Sequence, residues 1–267
     1  MRWSSFPAYL LLMVAFTGAI LPLIWLLLAS LDPAATQATR PPTNPSLDNF
    51  LKAFSPRSLR WMGNSLIIAG ITAVLSLAVC TFAAYPFSRE SFPGKNSILY
   101  GFLALRVIPP TTFMLPIYIL FAKLKLINTH LSVILILTTL NLPFALLLMK
   151  GFYDTVPKDF EEAAWVDGCG KLRAIFSILL PQCGPGIAVV LFMTFMNAWN
   201  EFMIPLILLR RIELMPLSVG IFTAYGEYGA VDYGFLSALS LIYALPPVLM
   251  YILIRRYLVK GMAGYVR

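Results

Sequence analysis

Towards the end of its fifth long apolar stretch the chain reads Asn197-Ala198-Trp199-Asn200-Glu201. Two amides, an indole and a carboxylate within five residues are conspicuous there. An ionised group at the middle of a bilayer costs at least about 2.5–3.5 kcal/mol on insertion scales. Asn141 lies in the preceding apolar stretch and Arg106 in the one before that. Amides and carboxylates exchange hydrogen bonds with hydroxyl groups, and an aromatic face stacks on a sugar ring. Asn141, Asn197, Trp199, Asn200 and Glu201 therefore suit the passage of a hydroxyl-rich solute. The same groups can instead join one helix to the next, and both readings stand. For Arg106, joining helices or reaching to an interface is the better reading.

Reaction chemistry is poorly provided for. His130 is the single histidine, so no constellation of base, nucleophile and orienting group is evident. The cysteines, Cys80, Cys169 and Cys183, are odd in number and lack the spacing of a disulfide framework. No ligands cluster at zinc-like spacing. A phosphate-cradling loop needs G-x-x-x-x-G-K-[ST]. Gly94-Lys95 is a near miss, with Arg89 at the first glycine and Asn96 at the last position. The chain is thus expected to bind no metal or cofactor and to hydrolyse no nucleotide itself.

The elements that must carry these residues follow from composition. Of 267 residues, 59% are hydrophobic and 12% charged, with a mean hydropathy of +0.80. Soluble domains carry about 25% charged residues, so an all-α integral membrane domain is expected. The net charge of +8 does not indicate nucleic acid, because the basic residues gather at the ends of apolar runs, as membrane topology requires. Six transmembrane helices are expected, at about 8–30, 64–87, 98–122, 131–149, 185–209 and 235–258. Each is near the roughly 20 residues that cross a bilayer. The first is too long for the core of a cleaved signal peptide, which runs about 7–15 residues. Prolines interrupt many spans, which favours kinked helices around a cavity. With both termini cytoplasmic, 11 basic residues fall inside and 8 outside, Arg106 lying within a span. "RRYLVKG" abutting the sixth span supports that orientation. In the first outer loop, "LDNFLKAF" reads as a short interfacial helix.

The polar segment 152–181 lies between the fourth and fifth spans. Pro157 suits a first helical turn. Asp159, Glu161 and Glu162 favour the positive end of the helix dipole, and Gly168 is placed to end the helix in a left-handed conformation. A second helix over 171–180 carries Leu172, Ile175, Phe176 and Leu179 at spacings of three and four, and Pro181 is expected to stop it. Five acids face three bases across the segment, a net of −2. That balance suits an anionic membrane surface poorly and a protein partner better.

Glu162-Ala163-Ala164, then three residues, Gly168, nine residues, and Ile178-x-Leu180-Pro181 match the E-A-A…G…I-x-L-P signature of ABC importer permeases. "RVIPPTTFMLPIYIL" (106–120), "NLPFALLLMKGFYDTVPKDFEEAA" (141–164), "WNEFMIPL" (199–206) and "RRYLVKGMAG" (255–264) resemble its carbohydrate-uptake, MalG-like branch. The final "YVR" departs from that branch, so no tail contact is carried over. The resemblance implies an importer type I permease fold over 1–267 with a cytoplasmic coupling helix. It places ATPase coupling on Glu161, Glu162, Ala163, Ala164, Asp167, Gly168, Ile178, Leu180 and Pro181. It implies a second homologous permease as heterodimer partner, two cytoplasmic ATPase subunits that carry ATP and Mg, and an external substrate-binding protein. It implies the plasma (inner) membrane of a bacterium or archaeon and import of a mono- or oligosaccharide, with glycerol phosphate or another polyol as the alternative. A secondary transporter is the competing class, but it would usually show inverted repeats and more intramembrane acids.

Overall fold

A computed structural model of the chain describes residues 6–38, 40–105, 107–226 and 231–263. Arg106 and the final "YVR" lie outside the described residues. Among the described residues the regular structure is helical throughout: α1 Phe6–Ser30, α2 Asp48–Ala53, α3 Pro56–Arg89, α4 Lys95–Leu105, α5 Met114–Lys123, α6 His130–Thr155, α7 Asp159–Val166, α8 Lys171–Gln182, α9 Gly184–Trp199, α10 Met203–Leu208, α11 Leu217–Gly226 and α12 Tyr233–Ala263. Four helices, α1, α3, α6 and α12, are long and apolar enough to cross a membrane. The bent pairs α4–α5 and α8–α9 raise the number to six if each counts as one span. Short α2 forms where "LDNFLKAF" was expected to be helical.

The centre of the bundle is α3 packed along α6 and α9. Ser65, Ala69, Thr72, Ala73, Ser76, Cys80 and Ala84 form a buried stripe of small side chains on α3. Small side chains let two helix backbones approach closely where lipid supplies no hydrophobic drive. The facing stripe on α6 steps by four: Val133, Leu137, Asn141, Ala145, Met149 and Tyr153. Both helices start with a capped amide. Ser55 Oγ accepts from Ser58 N before α3, and Thr129 Oγ1 accepts from Ser132 N before α6. Helix α1 runs beside α12 with most of its apolar side chains exposed.

The boundaries differ from the expected spans, for identifiable reasons. Helix α3 extends beyond both ends of 64–87, because Ser55 and Pro56 start it early and Glu90 ends it in extended backbone. The third span is broken after Leu105, where Pro109 and Pro110 withhold two amide donors and bias the residue before each away from helical backbone. The fifth span is two helices, because α9 ends at Trp199 and α10 starts at Met203. The carboxylate of Glu201 accepts from the amides of Met203 and Ile204 at 3.0 and 3.1 Å, which starts the new helix. Pro181 does not stop α8. It sits in the helix's last turn, and the chain turns through 85° at Cys183, between Pro181 and Pro185. Residues 175–179 of α8 are a π-helical turn.

The two ends of the bundle are distinct. At one end, segment 212–217 is tied to the starts of α3 and α6. Trp61 Nε1 donates to Ile212 O (2.8 Å), and Asn64 Nδ2 donates to Glu213 O (2.8 Å) and Met215 O (3.0 Å). Ser65 Oγ accepts from Leu217 N, and His130 Nε2 meets Leu214 O at 2.9 Å. At the other end, α7 and α8 lie against the final turns of α3 and α6, with Ile175 and Leu179 in one core with Tyr85, Met149 and Tyr153.

Candidate functional site

The α7–α8 pair is built around its turn. Gly168 has φ +81°, a left-handed conformation that glycine adopts without the penalty of a Cβ. Gly168 N donates to Trp165 O (3.0 Å) and Cys169 N to Ala164 O (2.9 Å). These two bonds are the pair that closes a Schellman motif and satisfies the last carbonyls of a helix. The expected left-handed glycine stop is therefore where the backbone has it. The helix itself begins at Asp159, two residues after Pro157.

The acids of the first turn divide by direction. Glu162 is exposed, with exposed Asp159 beside it, whereas Glu161 is buried against Arg89. The Arg89 Nε to Glu161 Oε1 distance is 2.5 Å, the side chains are 6% and 1% accessible, and Arg89 Nη2 also donates to Val156 O. Glu161 thus faces the bundle and holds α7 to the end of α3, and only Glu162 of the two points outward. Ala163 is exposed and Ala164 half-buried, and Asp167 and Gly168 form an exposed turn. Phe160, Trp165, Val166 and Leu172 stay exposed around them, Val166 at 89%. On α8 the expected apolar face splits, with Ile175 and Leu179 buried and Leu172 and Phe176 exposed. Phe176 meets Phe82 edge-on at 5.7 Å. Ile178 and Leu180 are half-buried and Pro181 is exposed. The outcome is a set of exposed apolar side chains among exposed charges of both signs, Asp159, Glu162 and Asp167 with Lys158, Lys171 and Arg173, carried on a bent helix pair.

A second feature lies within the bundle. A cavity of about 420 Å³ opens between the end of α4, the proline break that follows it, α6 and α9, lined by Ile108, Phe113, Asn141, Pro143, Asn197 and Glu201 among others. Asn197 Nδ2 donates to Asn141 Oδ1 (3.0 Å), and Asn141 Nδ2 donates to Leu137 O (2.9 Å). The amide pair therefore both joins α6 to α9 and forms part of the cavity wall, so the two readings of these residues are compatible. Glu201 likewise lines the cavity while capping α10.

Trp199 and Asn200 are not in the wall. Trp199 is 1% accessible and stacks between Phe195 and Tyr243 at 5.5 and 5.1 Å. Asn200 is exposed and donates to Met196 O. Trp199 lies roughly 200° around the helix from Asn197, and Asn200 follows the last residue of α9. Ile108 and Phe113, which join the wall through the proline break, carry no polar signal in the sequence. In the sequence Arg89 stands out only as a mismatch in the rejected phosphate-loop pattern, and nothing local marks its partner 72 residues on. Among the described residues, no three His, Cys, Asp or Glu side chains gather as a metal site would require.

The family model described as "Binding-protein-dependent transport system inner membrane component" matches residues 81–263. The chain belongs to that family. It is an inner-membrane permease component of a transport system and not an enzyme. The arabinooligosaccharides transport system permease protein AraQ of Halalkalibacterium halodurans is 33% identical over 253 residues, which cover 91% of this permease and 89% of AraQ. The galactooligosaccharides transport system permease protein GanQ of Bacillus subtilis is 31% identical over 263 residues, covering 96% and 93%. Among solved structures, a chain of a bacterial ABC transporter that imports the acidic polysaccharide alginate has a TM-score of 0.82 at 18% identity, covering 97% of this permease and 99% of that chain. The last likeness is one of fold, and the permease has the fold of an ABC importer membrane subunit.

Proposed function

We propose that this permease is one of two homologous membrane subunits of an ATP-driven importer, and that α7–α8 docks on a cytoplasmic ATPase. The observation that carries the reading is the bent helix pair. Phe160, Trp165, Val166 and Leu172 form an exposed apolar surface edged by charged side chains, outside the apolar spans and held in shape by the Gly168 turn. Apolar surface edged by charge suits a protein groove. In this reading both termini and α7–α8 are cytoplasmic, and two ATPase subunits bring the ATP and Mg. Their closure on nucleotide shifts the permease between two packings, through the difference in their affinity for each. Substrate arrives on an external binding protein, as in the alginate ABC transporter solved in complex with an alginate pentasaccharide-bound periplasmic protein.

The substrate is a sugar or short oligosaccharide. Support comes from the amides of Asn141 and Asn197 and the carboxylate of Glu201 in the cavity wall, and from relatives named for arabinooligosaccharide and galactooligosaccharide transport. The test is reconstitution of the permease with a second permease and an ABC ATPase of the same organism. Co-purification of that ATPase, with uptake of the sugar bound by the accompanying binding protein, is the expected result. A complex that forms with wild-type affinity after Val166→Asp and Leu172→Asp would refute docking through α7–α8.

A further inference from the structure

Covalent connections between α7–α8 and the membrane helices are interrupted on both sides. Towards α6 the chain passes through extended backbone at Val156 (φ −86°, ψ 122°). Towards α9 it passes through the π-helical turn 175–179 and the 85° bend at Cys183. A π-turn within an α-helix is a frequent mark of a functional joint. The polar side-chain connections, by contrast, converge on Arg89, the last residue of α3, and on Glu90, which follows it. Arg89 pairs with Glu161 (2.5 Å), and Lys171 Nζ donates to Glu90 Oε1 (2.8 Å). The Lys171–Glu90 pair is exposed and weak by nature. Arg89–Glu161 is buried, and removing one partner from a buried pair leaves the other charge without compensation.

Helix α3 is also the element tied to the opposite end. Trp61, Asn64 and Ser65, in its second and third turns, hold segment 212–217 by four hydrogen bonds. Gly220 lies so close to Trp61 that an added Cβ would sit 2.3 Å from its ring. Between these attachments α3 is one continuous helix of 34 residues, about 51 Å at a rise of 1.5 Å per residue. Its one internal proline, Pro86, is in its final turn.

We propose that Arg89 is the positioning residue that fastens the coupling pair to α3, and that α3 is a strut joining this end to segment 212–217. The proposal rests on the permease reading above. A displacement of α7 then reaches the far end of the bundle through α3 without passing the two backbone joints. By reciprocity of coupling, an event at segment 212–217 is felt at the ATPase.

The test uses the complete importer in proteoliposomes, reading co-purified ATPase, basal ATP hydrolysis, its stimulation by ligand-loaded binding protein, and sugar taken up per ATP. Arg89→Met is expected to keep the ATPase bound and basal hydrolysis unchanged while uptake per ATP falls about tenfold. The exchange Arg89→Glu with Glu161→Arg is expected to restore part of the lost uptake. Wild-type uptake per ATP in Arg89→Met would overturn the role of Arg89, and so would an assembled exchange variant that recovers nothing. Asn64→Leu tests the strut independently of how well the Arg89 variants assemble. It is expected to lower stimulation by the binding protein with basal hydrolysis intact, and unchanged stimulation would overturn the strut. A wild-type chain that binds no ATPase would instead refute the permease reading itself.

Discussion

Gly168 gives the sharpest quantitative prediction. An L-residue there must adopt φ +81°, and left-handed helical backbone costs about 1–2 kcal/mol per non-glycine residue. No heavy atom lies within 4 Å of an added Cβ, so alanine introduces no clash and the penalty is purely one of backbone. If only the bent pair binds the ATPase, apparent affinity falls with the population of the bent form. A penalty of 1–2 kcal/mol then weakens binding by about 5- to 30-fold at most. Gly168→Val should approach or exceed that limit, because a β-branched side chain is least tolerated at positive φ. Gly168→Asn should stay near wild type, because asparagine enters the left-handed region readily. The assay is titration of the purified ATPase onto the permease in nanodiscs, read as Kd. Equal Kd for Gly, Asn, Ala and Val at this position would show that the bend is not required. An Asn variant as weak as Val would show that the interface lacks room for any side chain, and the argument from φ would fail.

Three further outcomes follow from the same geometry. Val166→Asp, at a side chain 89% exposed, should leave the thermal midpoint within a degree or two and abolish ATPase co-purification, since exposed substitutions rarely move stability beyond about 0.5 kcal/mol. Asn197→Leu removes the donor to Asn141 Oδ1. It should lower stability by about 1 kcal/mol or less, read by thermal unfolding in detergent, while sugar uptake falls much further. Gly186→Val places a Cβ 2.5 Å from Phe152 Cγ and 2.8 Å from Phe152 Cβ. It should destabilise the chain by about 1–3 kcal/mol through overpacking, and Phe152→Ala in the same chain should recover part of the lost midpoint.

Much of the architecture is legible from hydropathy, because a bilayer forces each span to be long, apolar and helical. The Gly168 turn is legible too, since an acidic first turn and a following glycine mark both ends of α7 locally. What escapes is whatever depends on how spans pack. Prolines alone do not say where a helix breaks: Pro143 lies within a continuous helix, whereas Pro109 and Pro110 break one and Pro181 and Pro185 flank a sharp bend. The outcome depends on which neighbours cover the freed carbonyls. Glu161 and Glu162 are equivalent in the sequence, yet one faces Arg89 and the other faces out, because adjacent residues on a helix differ by about 100°. Helical rotation likewise turns Trp199 away from Asn197, by roughly 200°. Only Asn141, Asn197 and Glu201 of the polar set reach the cavity.

The most direct measurement of the central claim is the accessibility of the α7–α8 turn. In a chain with Cys80, Cys169 and Cys183 replaced by serine, Val166→Cys is labelled with a membrane-impermeant maleimide. The account predicts rapid labelling in inside-out vesicles stripped of ATPase and protection once the ATPase is added back. Labelling from the external face of intact cells, or labelling unaffected by the ATPase, would contradict it.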